Sequence, residues 1–155
     1  MGAELLPTPE RVGVAWLKAN VPYLQENVAT SLPEKDDWAS VGFVTVASVG
    51  GGQGDVAGSR VSMLSLTYWG VASSSGKPPW ERTAQMAEQV RQVVDPTGIA
   101  YGATRKKYLL TSLGTTYRDA KVLNVGWASE PQRRPGDQAD FAVYQNDLSL
   151  HWVVI

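Results

Sequence analysis

The chain has 155 residues, of which 43% are hydrophobic and 19% charged, with a net charge of −1 and no cysteine. This length suits a single domain with a sizeable core. The near-neutral charge argues against a dedicated nucleic-acid binder, and the lack of cysteine excludes disulfides and thiolate metal sites. No apolar run approaches the roughly 18 residues of a membrane span, and residues 1–10 lack the features of a signal peptide. We therefore expect a cytoplasmic or particle-associated protein.

The first helix is predicted from its start and stop signals. Thr8 can cap a helix, Pro9 suits the first helical position, and Glu10 favours the positive end of the helix dipole. An apolar stripe at helical spacing stops before Asn20 and Pro22. The stripe consists of Val12, Ala15, Trp16 and Ala19. We expect Trp16 to anchor the core.

A β-hairpin is predicted next along the chain. Residues 28–32 form a short strand candidate, and residues 41–49 are rich in β-branched side chains typical of a strand. The glycine-rich residues 50–55 are expected to break this strand, and strand composition resumes at residues 60–69. The pattern therefore predicts two strands joined by a long flexible tip.

The second half of the chain predicts one helix and two strands. Residues 80–94 show the clearest helical periodicity. Residues 121–127 alternate, so Leu123, Val125 and Trp127 should share one face, and residues 141–154 form a long terminal strand. On that terminal strand Asn146 is the one polar residue of an otherwise apolar face.

Together these elements predict an α+β fold in one domain spanning residues 1–155. We expect a mainly antiparallel sheet of four to five strands, with two helices packed on one face and a long β-hairpin extension. Met63 and Leu64 are adjacent and apolar, so their strand is either central in the sheet or covered by a neighbouring subunit. The hydrophobic pattern leaves both readings open.

The sequence shows no constellation typical of catalysis or metal binding. Residues 50–55 superficially resemble a phosphate-binding loop, but a strand follows them where such loops need a helix. His151 is the single imidazole, and Asp147 and Ser149 should lie in line with it along one strand rather than converge on it. We therefore predict no enzyme activity, no metal and no cofactor.

Candidate interface residues come from charge runs, the glycine-rich segment and tryptophans beside predicted loops. Basic runs in loops can form salt bridges with a neighbouring subunit, and tryptophan is enriched at interface hot spots. The predicted interface set is Trp38, Gly51, Gly52, Gln53, Asp55, Arg60, Trp69, Arg105, Lys106, Lys107, Arg133 and Arg134. Residues 50–59 and 98–114 are the loops expected to reach neighbouring subunits.

The order of segments resembles the tail terminator proteins of long-tailed bacteriophages. Four stretches carry this resemblance and together touch most of the chain. They are PERVGVAWL at residues 9–17, WASVGFVTV at 38–46, KPPWERTAQMA at 77–87 and FAVYQNDLSL at 141–150.

The resemblance implies a structural role in the virion. Such proteins form a hexameric ring that caps the head-proximal end of the tail tube, stops tube polymerisation and meets head-completion proteins. It also implies assembly in the bacterial host cytoplasm, a lumen through which DNA passes without specific binding, no membrane contact and no cofactor. Strong phosphate contacts would trap the genome, so we expect a neutral or acidic lumen.

Two other functions remain open from the sequence. One is a head–tail connector or tail-completion protein of the neck, which would share the size, the fold class and the lack of chemistry. The other is a small-ligand-binding or peptide-binding α+β domain, in which the tryptophans would line a pocket.

Overall fold

The computed structural model describes residues 5–24, 26–34, 41–55, 57–71, 79–94, 109–110, 113, 116–134 and 141–155. Two α-helices, one short 3-10 helix and seven strands lie within them. In chain order these are α1 (Pro9–Asn20), the 3-10 helix (Pro22–Leu24), β1 (Val28–Ala29), β2 (Phe43–Gln53), β3 (Ser59–Val71), α2 (Trp80–Val94), β4 (Leu109–Leu110), β5 (Ala120–Trp127), β6 (Gln132–Arg134) and β7 (Phe141–Val154).

All the strands belong to one sheet with the order β1-β2-β3-β7-β5-β4, and β6 also pairs with β7. Every pairing is antiparallel except that of β1 with β2, so the sheet is mixed. Four strands, β2, β3, β5 and β7, are longer than three residues. The predicted α+β fold with a mainly antiparallel sheet is therefore confirmed, with two corrections: β1 is parallel, and the described sheet has seven strands where the sequence predicted four to five.

Helix α1 has the predicted boundaries because its capping signals are satisfied. The Thr8 side chain accepts a hydrogen bond from the Arg11 main-chain N–H at 3.2 Å. Trp16 is 1% exposed, as expected of a core anchor. Gly13 faces the sheet so closely that a Cβ there would lie 2.4 Å from Leu64 Cδ1. The helix therefore packs directly on β3.

Helix α2 packs on the same face of the sheet as α1. The Thr83 hydroxyl donates to the Pro79 carbonyl at 2.8 Å within the first turn of the helix. A Cβ on Gly70 of β3 would lie 2.0 Å from Thr83 Oγ1, so this glycine permits the close approach of helix and strand. The prediction of two helices on one face is confirmed.

The core lies between these helices and the middle of the sheet, where β3 and β7 pair along their whole length. The predicted exception, Asn146, is buried, and its Oδ1 accepts a hydrogen bond from the buried Tyr68 hydroxyl at 2.7 Å. Burial, with a smaller effect from Glu88, raises the pKa of Tyr68 far above its usual range. The polar residue on the apolar face is therefore half of a buried hydrogen-bonded pair.

The glycine-rich segment does not break the hairpin strand as the sequence predicted. Strand β2 continues to Gln53, and the Gly54 N–H donates to the Ser59 carbonyl at 3.0 Å, so the turn itself is short. A register shift after Ser48 is followed by Gly50 and Gly51 at φ values of 151° and 141°. Glycine adopts these angles without strain, so it extends the strand here.

Strand β5 also departs from simple alternation. The register shifts between Val122 and Asn124, which makes Leu123 the extra residue of a β-bulge. Val122 and Val125 are consequently buried, whereas Leu123 is 36% exposed. The prediction that Leu123 shares a face with Val125 and Trp127 was therefore wrong.

Candidate assembly interface

The face of the sheet opposite the helices is here called the open face. Side chains on β3 and β7 alternate, and the even-numbered ones point into the core while the odd-numbered ones point to the open face. Met63 therefore lies on the open face and Leu64 in the core. Strand β3 is also central in the sheet, between β2 and β7, which is the first of the two readings left open by the sequence. Both described helices pack against the other side, as the contacts of Gly13 and Gly70 show.

One end of the open face is apolar and aromatic. Trp69 stands between Phe43 and Val143 in the strand register, and its ring meets Phe141 edge-on with 5.8 Å between centroids. The indole N–H of Trp69 donates to Thr45 Oγ1 at 3.0 Å, which fixes the ring in place. Trp69, predicted as an interface residue, is thus a rigid, partly exposed part of this end.

The middle of the open face is polar and hydrogen-bonded. Arg134 Nε donates to Gln145 Oε1 at 2.7 Å, and Gln145 Nε2 donates to Ser65 Oγ at 2.6 Å. Arg134 is therefore held down across the sheet by neutral partners. Its guanidinium keeps N–H donors for an acceptor on another molecule.

Arg133 and Arg134 do not lie in a loop, as the sequence predicted. Both lie in β6, where successive side chains point to opposite faces of the sheet. Arg133 stacks on the Trp80 ring at 3.6 Å from its centroid, and that ring meets Tyr144 edge-on on the helix side. The two cations therefore belong to different surfaces of the molecule.

The other end of the open face carries His151 and the hairpin. His151 Nε2 lies 3.1 Å from the Ser59 hydroxyl, but Ser59 is 1% exposed and cannot reach a substrate. Asp147 lies four residues from His151 on the same strand face, about 13 Å away at about 3.3 Å per residue. Within the described residues no group of three His, Cys, Asp or Glu side chains could hold a metal ion.

The distal part of β2, residues 47–53, is exposed along its whole length. It borders a groove of about 480 Å³ between the hairpin and Pro9, which Arg60 also lines. The Arg60 guanidinium lies over its own Trp152 ring at 4.7 Å, and Asp55 is exposed at the turn. Gly51, Gly52, Gln53 and Asp55 therefore form an accessible strand and turn.

Four predicted interface residues, Trp38 and the basic run Arg105, Lys106 and Lys107, lie outside the described residues, as does most of 98–114. At the apolar end of the open face, sequence reasoning selected Trp69 but missed its neighbours Phe141 and Val143. The sequence of β7 could have shown this, because the residues on its open face are apolar at Phe141 and Val143 and polar from Gln145 to His151.

A second groove of about 790 Å³ lies between α1 and β1. Its lining mixes small apolar residues with charged ones such as Arg11, Lys18 and Glu26, and none of the described tryptophans lines it. Arg11 and Leu113 both line it, and Arg11 donates to the Leu113 carbonyl at 2.8 Å. The tryptophan-lined pocket of a ligand-binding domain is therefore not this groove.

Comparison with known proteins adds no relative: no protein-family model matches the chain, and no curated protein matches it at a significant level. Neither described helix is long and apolar enough to cross a membrane.

Proposed function

We propose that the chain is a structural subunit of a bacteriophage tail, which forms a hexameric ring on the head-proximal end of the tail tube. The ring stops tube polymerisation and joins the tail to the head or neck. DNA passes through its lumen without specific binding. The order of sequence segments supports this proposal, together with an α+β fold whose second sheet face is suited to contact with other subunits.

The observation that carries the proposal is the composition of the open face. Trp69, Phe141 and Val143 lie partly exposed at one end of it, on the side of the sheet away from both described helices. Large aromatic side chains held rigid at a surface are typical anchors of protein interfaces. The hydrogen-bonded Arg134 beside them supplies the polar rim that such interfaces have.

A ring also uses two different patches of each subunit, because head-to-tail contacts are heterologous. The chain offers two such surfaces: the aromatic end of the open face and the exposed distal part of β2. By contrast, the Ser59–His151 pair gives no support to an enzyme, because the hydroxyl is buried.

The direct test mixes the purified chain with a polymerising tail-tube protein and images the products by electron microscopy. We expect short tubes with one end capped, and a hexamer by native mass spectrometry. If tubes grow without limit and the chain binds to phage heads rather than to tube ends, the result would favour the connector or tail-completion alternative. A monomer that leaves tube growth unchanged would refute the proposal.

A matched pair of variants localises the contact. Thr67→Glu places a carboxylate at the centre of the open face, and Gln85→Glu places the same charge on the exposed side of α2. We expect Thr67→Glu to lose capping while Gln85→Glu retains it, with both variants unfolding at similar temperatures. Equal capping by both variants would remove the open face from the interface.

A further inference from the structure

The outer edge of β2 is a strand edge that the described residues leave largely unpaired. Strand β3 pairs with the inner side of β2 through to Gln53, but β1 pairs with the outer side only at Val44 and Thr45. Beyond Thr45 no described strand pairs with this outer side. The side chains of residues 47–53 are exposed, and within the described residues this stretch of the outer edge has no strand partner.

The direction of individual N–H groups follows from the ladder. The Gly54 N–H points inward, because it donates to the Ser59 carbonyl at 3.0 Å. Inward and outward groups alternate along an antiparallel strand, so the N–H of Gly52 points inward and those of Gly51 and Gln53 point outward. These outward groups form a receptor for an extended strand.

This edge lacks the charges and prolines that normally protect exposed edges. The whole of Phe43–Gln53 contains neither a charged residue nor a proline, and the register shift after Ser48 is its one protective feature. A Cβ on Gly52 would meet nothing within 4 Å, and no left-handed φ requires glycine there. A glycine that its own fold does not need is typical of a place where another backbone approaches closely.

Strand β6 offers a matching edge on the opposite side of the sheet. It pairs with β7 on one side, and its residues Gln132, Arg133 and Arg134 are all exposed. The two arginines are drawn off the edge, Arg133 onto Trp80 at 3.6 Å and Arg134 onto Gln145 at 2.7 Å. The cations that could block strand addition are thereby held on the two faces of their own sheet.

We infer that the outer edge of β2, residues 46–53, pairs main chain to main chain with the outer edge of β6 in a second copy of this chain. Because β2 and β6 lie on opposite sides of β3 and β7, the contact is head-to-tail and continues the sheet from copy to copy. This contact places β6, which carries two arginines, beside the uncharged β2, which ends near Asp55. Pairing of β6 with β6 of another copy would instead place like charges opposite each other. The inference rests on the proposed function for the expectation of a closed ring.

Cysteine cross-linking tests the pairing directly, because the chain has no cysteine of its own. The two exposed positions Gln53 and Gln132 are changed singly to cysteine, and the variants are mixed with a short bismaleimide. We expect cross-linked dimers in the mixture of Gln53→Cys and Gln132→Cys and none from either variant alone. Gln85→Cys on α2, mixed with Gln53→Cys, is the control and should give no cross-link.

A main-chain test uses two substitutions of one residue. Gln53→Pro removes an outward N–H that the β2–β3 ladder does not use, and edge strands tolerate proline at such positions. Gln53→Ala removes the side chain and keeps the N–H. At concentrations where the chain is monomeric, we expect both variants to keep the melting temperature of the original chain. At higher concentrations, we expect self-association to be weakened about tenfold or more by the proline alone.

Cross-linking of Gln53→Cys to itself, or oligomers without any cross-link in the mixture, would overturn the inference. So would equal association of the proline and alanine variants, or a chain that stays monomeric. The outcomes also separate the two proposals. Capped tubes without the cross-link refute the edge pairing and leave the tail function standing, whereas cross-linked oligomers that cap no tube refute the tail function alone.

Discussion

Two neighbouring glycines of β2 should respond in opposite ways to the same substitution. An alanine Cβ at Gly51 would lie 2.3 Å from the Val61 carbonyl oxygen and 2.9 Å from Ser62 Cα, at a φ of 141°. Backbone in such a region costs a non-glycine residue about 1–3 kcal/mol, and overpacking costs a similar amount. We therefore expect Gly51→Ala to lower the free energy of unfolding by roughly 3 kcal/mol.

Gly52→Ala meets open space at an ordinary strand conformation. Replacing glycine by alanine at a compatible position stabilises a protein by about 0.4–1 kcal/mol, because the unfolded chain loses conformational freedom. We expect Gly52→Ala to stabilise the monomer by that amount while weakening self-association, since its methyl group occupies the space left for the neighbouring copy.

Urea unfolding at concentrations where the chain is monomeric measures both effects. For a domain of this size each kcal/mol moves the melting temperature by roughly 2–4 °C, so Gly51→Ala should melt roughly 6–12 °C lower and Gly52→Ala slightly higher. The m-values should stay unchanged, because neither substitution alters the surface exposed on unfolding. Equal destabilisation by the two alanines would refute the reading of Gly52 as a glycine kept for a partner.

Three further predictions concern the core. Gly70→Ala drives a Cβ to 2.0 Å from Thr83 Oγ1, so it should cost about 1–3 kcal/mol in denaturant unfolding, and Thr83→Ala in the same chain should recover part of that loss. Tyr68→Phe leaves the buried Asn146 Oδ1 without its donor and should cost about 1–3 kcal/mol, part of which Asn146→Leu restores, since leucine also loses the amide contact with the Ser129 carbonyl. Because burial raises the pKa of Tyr68, its folded state holds a proton that the unfolded chain releases above about pH 10. Stability should therefore fall by up to about 1.4 kcal/mol per pH unit above that point, and Tyr68→Phe should remove this part of the slope.

The elements that the sequence predicted best are those whose signals are local and periodic. Thr8 and Pro9 set the start of α1, and the helical period of residues 80–94 gave α2 its observed boundaries. The terminal strand was predicted in full because two-residue alternation runs through it without a bulge. Even its irregular residue, Asn146, was visible as a polar residue on an apolar face.

The errors lie where pairing with a partner strand overrides local composition. Residues 50–53 look like a loop by propensity, yet the ladder with β3 holds them extended, since a strand tolerates glycine when its neighbour fixes the register. Leu123 was assigned to the wrong face because a bulge is decided by the partner β7. Arg133 and Arg134 were assigned to a loop, because a basic pair by itself carries no sign of strand alternation.

The architecture separates the energy of folding from the energy of association. Both described helices cover one side of the sheet, so the buried Trp16, Tyr68 and Trp152 stabilise the isolated subunit. Trp69 and residues 47–53 of β2 lie outside that buried core, and their side chains are partly or fully exposed. Substitutions on the two sides of one sheet should therefore divide into those that change unfolding at any concentration and those that act only where subunits meet. If the chain is the ring subunit proposed above, this division allows it to fold alone and then to join its copies through surfaces that folding does not use.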